Sequence, residues 1–142
     1  MKKPVYFYDQ SGVVPFKVYN GNISVLLITT RKKRKWVIPK GIIEHGLSPL
    51  ESTIKEAVEE AGVRGRGFHH LLGVYNYPKW GGTCMVKVYP LEVNELLSDW
   101  EEEQFRDRRW FYFGDVLNVI EDDGLRKIIA SLPDILYKIK SG

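Results

Sequence analysis

The sequence predicts an α/β fold, a mixed β-sheet with helices packed against it. Short segments rich in Val, Ile and Leu read as strands on both sides of one well-capped helix. Two further helical stretches follow toward the C-terminal end. An order of strands, helix, strands, helix fits a sheet covered by helices.

The elements follow in order. Residues 12–17 and 23–30 read as strands, and Asn20-Gly21-Asn22 between them is turn chemistry that predicts a hairpin. Arg31, Lys32, Lys33, Arg34 and Lys35 form an unbroken basic loop, followed by a short buried strand at 36–38 that Pro39-Lys40-Gly41 breaks. The clearest element is a helix over 49–61. Ser48 is a favoured N-cap, Pro49 suits the first helical position, Glu51 completes a capping box, and Gly62 supplies the stop. Leu50, Ile54, Ala57, Val58 and Ala61 make one apolar stripe. Residues 71–77 and 84–93 read as strands around Gly81-Gly82, and 109–113 as a short aromatic strand. Residues 115–120 and 125–140 read as helical, the second broken at Pro133.

Composition narrows the class. The 142 residues fit a single domain over 1–142, and 44% hydrophobic with 27% charged residues is the balance of a soluble globular protein. The lone Cys84 excludes an internal disulfide and a multi-cysteine metal site, which fits a cytoplasmic setting. No aliphatic run approaches the ~18 residues of a membrane span. The start, Met1-Lys2-Lys3-Pro4, lacks the apolar core of a secretory leader. The net charge of +3 is mild, and a nucleic-acid role is not expected from one basic run without a broader basic face.

On the first helix Glu56, Glu59 and Glu60 stand at i, i+3 and i+4, which puts three carboxylates on one face, away from the apolar stripe. Like charges at this spacing repel, and a divalent cation would remove the repulsion. Oxygen-only ligands favour magnesium, with manganese as an alternative. Spacing alone is also met by a solvated glutamate-rich face.

The segment around these acids says more. Gly41 is followed, in register, by Glu56, Glu59, Glu60, Gly62 and Val63. This resembles the Nudix box: Gly, five residues, Glu, seven residues, Arg-Glu, an aliphatic, any residue, Glu-Glu, any residue, Gly and an aliphatic. Trp36-Val37-Ile38-Pro39-Lys40, Glu44 and Gly46 resemble its flanks. Two positions depart from the pattern, Leu47 for the first Glu and Lys55 for the Arg. Lys55 is expected to pair along the helix with Glu51 and Glu59 and so take over the orienting role, more loosely than an arginine fork. Segments 59–65, 72–75, 98–101 and 106–111 resemble the diadenosine and diphosphoinositol polyphosphate hydrolase branch.

The resemblance implies a Nudix-type α/β/α sandwich and magnesium-assisted hydrolysis of a phosphoanhydride. It implies Glu56, Glu59, Glu60 and the Gly41 carbonyl as metal ligands. Glu59 is the first expectation for the general base and Glu103 the second, with Glu101 and Glu102 left open. Arg31, Lys33, Arg34 and Lys40 are expected to grip the phosphates of a small-molecule substrate. Tyr77 and Trp80 are candidates for stacking a base, while Trp36, Trp100, Trp110, Cys84 and the three histidines read as structural or surface groups. Two other readings stay open, a non-catalytic module binding a phosphorylated ligand and a nucleic-acid or membrane-surface protein acting through the basic run. A monomer and a homodimer are both compatible with the sequence.

Overall fold

The structure is a computed structural model that describes residues 6–141, so the charged start at 1–4 lies outside the described residues. Its centre is a mixed sheet. Strands β1 (Phe7–Tyr19) and β2 (Asn22–Thr29) form the expected hairpin, with Tyr19 opposite Asn22. Asn20 and Gly21 take φ of 49° and 78°, the paired positive values of a tight hairpin turn that follows strand twist. Strands β3 (Trp36–Val37) and β4 (Lys40–Ile42) follow, then helix α1 (Pro49–Ala61) and strand β5 (Val63–Gly67). Strands β6 (Gly73–Lys79), β7 (Gly82–Leu96) and β8 (Arg108–Tyr112) precede helices α2 (Phe113–Val119), α3 (Asp123–Ala130) and α4 (Leu132–Ser141).

The described strands run in the order β3-β2-β1-β7-β5, with β4 on β1, β6 on β7 and β8 on β2. β1 and β7 are parallel and the other pairs antiparallel, which makes the sheet mixed. Alternation along β1 divides its side chains between two cores. Val14 and Phe16 join Val86, Val88 and Tyr75 under Val116, Leu125, Ile128 and Leu132, which belong to α2, α3 and α4. Val13 joins Leu26, Ile28 and Leu91 beneath Ala57 and Ala61 of α1. The fold is therefore α/β/α, with α1 on one face and the last three helices on the other.

Several details differ from the sequence reading, each for a physical reason. Residues 39–41 are not simply a break. Lys40 and Gly41 pair with Gly12 and Ser11 of β1, so the chain rejoins the sheet after Pro39. β5 was not foreseen, because Arg64, Gly65, Arg66 and Gly67 carry no apolar alternation; Val63 alone of its side chains is fully buried. The turn between β6 and β7 falls at Trp80-Gly81, one residue earlier than expected, with φ of 54° and 72°. The C-terminal helix divides at Ser131, and Pro133 sits in the first turn of α4, where a missing N–H costs nothing. On α1 the sheet-facing side is Leu50, Thr53, Ala57, Glu60 and Ala61, with Ile54 and Val58 only partly covered.

Candidate active site

Helix α1 begins as its sequence dictates. The Ser48 hydroxyl accepts from the Glu51 N–H at 3.1 Å and Glu51 accepts from the Ser48 N–H at 3.0 Å. Gly62 ends the helix at φ 64° and donates back to Val58. These caps fix the rotation of α1, and that rotation decides which carboxylates meet.

The three glutamates do not share one environment. Glu60 is 7% exposed and faces the sheet, which corrects the expectation that all three stand clear of the packed side. Its Oε1 accepts from the Lys40 N–H at 3.2 Å, and its carboxyl meets that of Glu56 in a shared hydrogen bond. Burial pushes Glu60 up to about 8, while nearby Arg106 pulls the other way and Glu56 adds to the rise. Glu56 is raised too, first by burial. Glu59 is also raised by burial, but it flanks the pair, and its charged neighbours are Glu101, Lys55, Glu44 and Glu102. Among the described residues no three acidic, histidine or cysteine side chains converge tightly enough to enclose an ion. The assembled unit is a carboxyl pair.

Gly41 closes that pair from the β4 side. A Cβ there would stand 2.6 Å from Glu56 Cδ and Oε1, so only glycine lets the carboxyl lie against this backbone. A buried and a half-buried carboxyl, both raised by burial, beside a bare backbone, form an all-oxygen donor set of the kind hard divalent cations take.

Lys55 departs from the expected ladder. Glu51 is spent on the capping box, and the Lys55 ammonium instead pairs with Glu44 at 2.7 Å. Glu44 belongs to the loop before α1, and its N–H donates to Ser52 Oγ at 3.0 Å. Lys55 thus braces loop to helix, with Glu59 and Glu56 farther off in its field.

The basic loop divides. Arg31 lies over the Phe105 ring at 4.1 Å and lines the groove beside the carboxyl pair. Lys33 lines a neighbouring cleft. Arg34 departs from its expected role, because its guanidinium is bound to Asp107 and to the Phe105 carbonyl, and it lines neither opening. Lys35 pairs with Glu121 at 2.8 Å. The groove, about 550 Å³, is lined by Arg31, Lys40, Gly41, Glu60, Trp80 and Arg106 among others. The cleft, about 560 Å³, shares Lys40 and Lys79 with it and has Trp36, Tyr75, Tyr77 and Leu125 in its walls. Burial and the nearby Lys79 charge lower the pKa of Lys40, while Glu60 raises it.

Among the loop acids, Glu103 is exposed and lies in the field of Arg108. Glu102 is the acid held at the site. Its N–H donates to the Glu59 carbonyl at 3.0 Å, and its carboxylate accepts from Arg106 Nε at 2.9 Å. Arg106 also donates to the Thr29 carbonyl at 3.0 Å. Sequence reasoning missed Arg106 as a site group, although its i+4 spacing from Glu102 was visible. Arg108 donates to the Ala61 and Gly62 carbonyls at 3.0 and 3.1 Å and so ties this loop to the end of α1. Trp80, 54% exposed, stands at the groove, whereas the Tyr77 hydroxyl is taken up by Lys40 and Gln10.

Comparison with known proteins places this geometry. The model of the NUDIX domain family matches residues 9–132. The chain belongs to the Nudix family. The Nudix domain is 32% identical over 126 residues to "Nudix hydrolase 21, chloroplastic" of Arabidopsis thaliana, covering 84% of this chain and 63% of that protein. It is 32% identical over 120 residues to "Diphosphoinositol polyphosphate phosphohydrolase 3-alpha" of Homo sapiens, covering 83% and 72%. It thus spans just under two thirds of the length of the plant protein. Among solved structures it resembles a C. elegans Ap4A hydrolase in a binary complex, with a TM-score of 0.78, 19% identity, and 92% and 98% of the two chains covered. At that identity the likeness concerns the fold.

Proposed function

We propose that this Nudix domain hydrolyses a phosphoanhydride bond in a polyphosphorylated small molecule, with magnesium as the working ion. The observation that carries the reading is the carboxyl pair of buried Glu60 and half-buried Glu56, with Glu56 lying against the bare Gly41 backbone. Such a pair is costly when both groups are charged, and a divalent cation removes that cost. Glu56, Glu60 and the Gly41 carbonyl would hold the ion, with Glu59 alongside. When bound, it would offset the negative charge that grows on the phosphate oxygens during cleavage.

The chain's own groups supply the rest. Lys40 and Arg31 line the groove and hold the phosphate chain, and Lys33 extends the grip into the adjoining cleft. A carboxylate takes the proton of the attacking water; that oxygen then bonds to phosphorus as the bridging bond to the leaving phosphate breaks. Glu59 is the first candidate for this base, being partly exposed beside the pair with its carboxyl raised. Glu102 replaces Glu103 as the second, because it is anchored next to Glu59. The names of the relatives favour a dinucleoside polyphosphate or a diphosphoinositol polyphosphate as substrate.

One observation favours a second reading, a module that binds a phosphorylated ligand without turning it over: among the described residues Glu59 does not close with the pair into a tight three-acid cluster. The two readings separate in one assay. The protein is incubated with magnesium and, in turn, diadenosine polyphosphates, diphosphoinositol polyphosphates, nucleoside diphosphate sugars and nucleoside triphosphates. Cleavage of at least one, lost in a folded Glu59→Gln variant, is the expected result. A wild-type protein inert toward every compound refutes the hydrolase.

A further inference from the structure

We propose that Gln10 and Tyr77 are positioning residues that aim the Lys40 ammonium into the groove and so set how tightly the polyphosphate chain is held. The inference rests on the reading above, in which Lys40 grips phosphate. It gives Tyr77 a role other than stacking a base.

Two contacts define the device. The Lys40 ammonium donates to the Tyr77 hydroxyl oxygen at 3.0 Å, and the Tyr77 hydroxyl donates to Gln10 Oε1 at 2.7 Å. The polarity admits one arrangement. An ammonium only donates and an amide oxygen only accepts, so the hydroxyl between them must receive from Lys40 and give to Gln10. Gln10 thereby fixes the hydroxyl proton and turns an oxygen lone pair toward Lys40. One ammonium proton is used and two remain for the groove and cleft that Lys40 lines. Without the relay, a lysine on a four-carbon stem samples many directions and binds an anion at a larger entropic cost.

The sheet builds this relay from three strands. Tyr77 of β6 faces Cys84 of β7, and in the next row Tyr75 of β6 faces Val86, which faces Gln10 of β1. Directly paired residues share a face, so the Tyr77 side chain reaches Gln10 diagonally across β7. Cys84 is small enough to lie beneath it and is fully buried. Lys40 enters from β4 opposite Gly12 of β1, whose missing side chain leaves the lane open; a Cβ on Gly12 would stand 3.2 Å from Lys40 Cβ. Gln10 is 3% exposed, a buried amide whose oxygen is satisfied by the hydroxyl it receives. The Tyr77 ring is meanwhile engaged by Tyr75, 6.2 Å away and nearly parallel, and by the Lys40 ammonium 4.6 Å from its centroid.

Tyr77→Phe removes one oxygen and keeps the ring, so packing and any stacking survive. The test is a cycle of Tyr77→Phe, Lys40→Met and the double variant, with two readouts. One is calorimetric binding of inorganic tripolyphosphate with magnesium, which needs no turnover; the other is kcat and KM on whichever anhydride the protein cleaves. Tyr77→Phe is expected to weaken tripolyphosphate about tenfold, the order for a hydrogen bond to a charged group. KM should rise similarly while kcat stays within about threefold, as for an interaction equal in ground and transition states. In the Lys40→Met background Tyr77→Phe should change nothing, because its effect passes through Lys40. Gln10→Met, close in shape, should reproduce a smaller loss in the same direction. Wild-type binding by Tyr77→Phe overturns the proposal. So does additivity with Lys40→Met, and so does a harmless Tyr77→Phe beside a damaging Tyr77→Ala, which would restore the stacking role. A wild type that binds tripolyphosphate and shows these losses, yet cleaves nothing, upholds the relay while removing the hydrolase.

Discussion

Replacing Glu60 by Gln in the metal-free protein probes the carboxyl pair through stability. Burial takes the Glu60 carboxyl from 4.5 to about 8, so the folded chain keeps a proton that the unfolded chain releases. An acid raised in this way contributes stability that is complete below its unfolded value and is lost as pH climbs toward its folded value. A tenfold ratio between the two protonation equilibria is worth about 1.4 kcal/mol. Between about pH 5 and about pH 7.5 the wild type should therefore lose roughly 3 kcal/mol relative to Glu60→Gln. Glu56, raised in the same direction, shares the proton and spreads the loss over the pair. A glutamine oxygen can still accept from the Lys40 N–H, now 3.2 Å from the carboxyl, so the variant keeps the contact and sheds the charge. Urea unfolding of both proteins in chelator, in half-unit pH steps, measures the difference. Magnesium should then stabilise the wild type far more than the variant. Parallel stability curves for the two proteins across this window refute a buried, proton-sharing pair.

Further outcomes follow from neighbouring contacts. Gly41→Ala places a Cβ where Glu56 now lies; about 1–3 kcal/mol of overpacking and a loss of at least about tenfold in magnesium affinity by calorimetry are expected. Arg106→Gln frees Glu102 from a pair whose side chains are only 15% and 21% exposed, at a cost of about 1–3 kcal/mol in urea unfolding. It should also lower kcat by about tenfold if Glu102 serves the reaction. The double change Leu47→Glu with Lys55→Arg restores the family pattern. Because Glu44 already braces residue 55 through an exposed pair, kcat should stay within about twofold; a larger gain would show that the brace falls short of the family's own.

Much of this architecture could be read from the chain because its signals are local. The capping box, Pro49 and Gly62 define α1 to the residue, and Asn20-Gly21 fixes the first hairpin. β5 escaped because two arginines and two glycines write no pattern; it exists because β7 offers Leu91 to Leu96 as an edge to pair with. The same limit applies at the site. Helical spacing puts Glu56, Glu59 and Glu60 on one side of α1, but only the arrival of β4 decides that Glu60 is buried and Glu59 is not. Arg34 and Lys35 looked free in sequence, since their partners Asp107 and Glu121 lie more than seventy residues on. Lys55 looked able to reach along its own helix, where Glu51 was already engaged. Tyr77 showed an aromatic ring in the sequence, while the use made of its hydroxyl depends on Gln10, two strands away in the sheet.

The parallel pairing of β1 with β7 carries a consequence for how this molecule comes into being. Phe7 lies opposite Thr83 and Phe16 opposite Glu92, so the central seam joins distant parts of the chain. Seams of that kind form slowly, after nearby turns and helices have settled. β4 hangs on β1, and Glu56 and Glu60 meet only where β4 docks. A nascent chain halted before β7 would already display the whole glutamate motif and the strands beside it, yet lack the parallel seam that holds β1 in the sheet. Return of cation affinity during refolding is therefore a clock for the last stage of assembly.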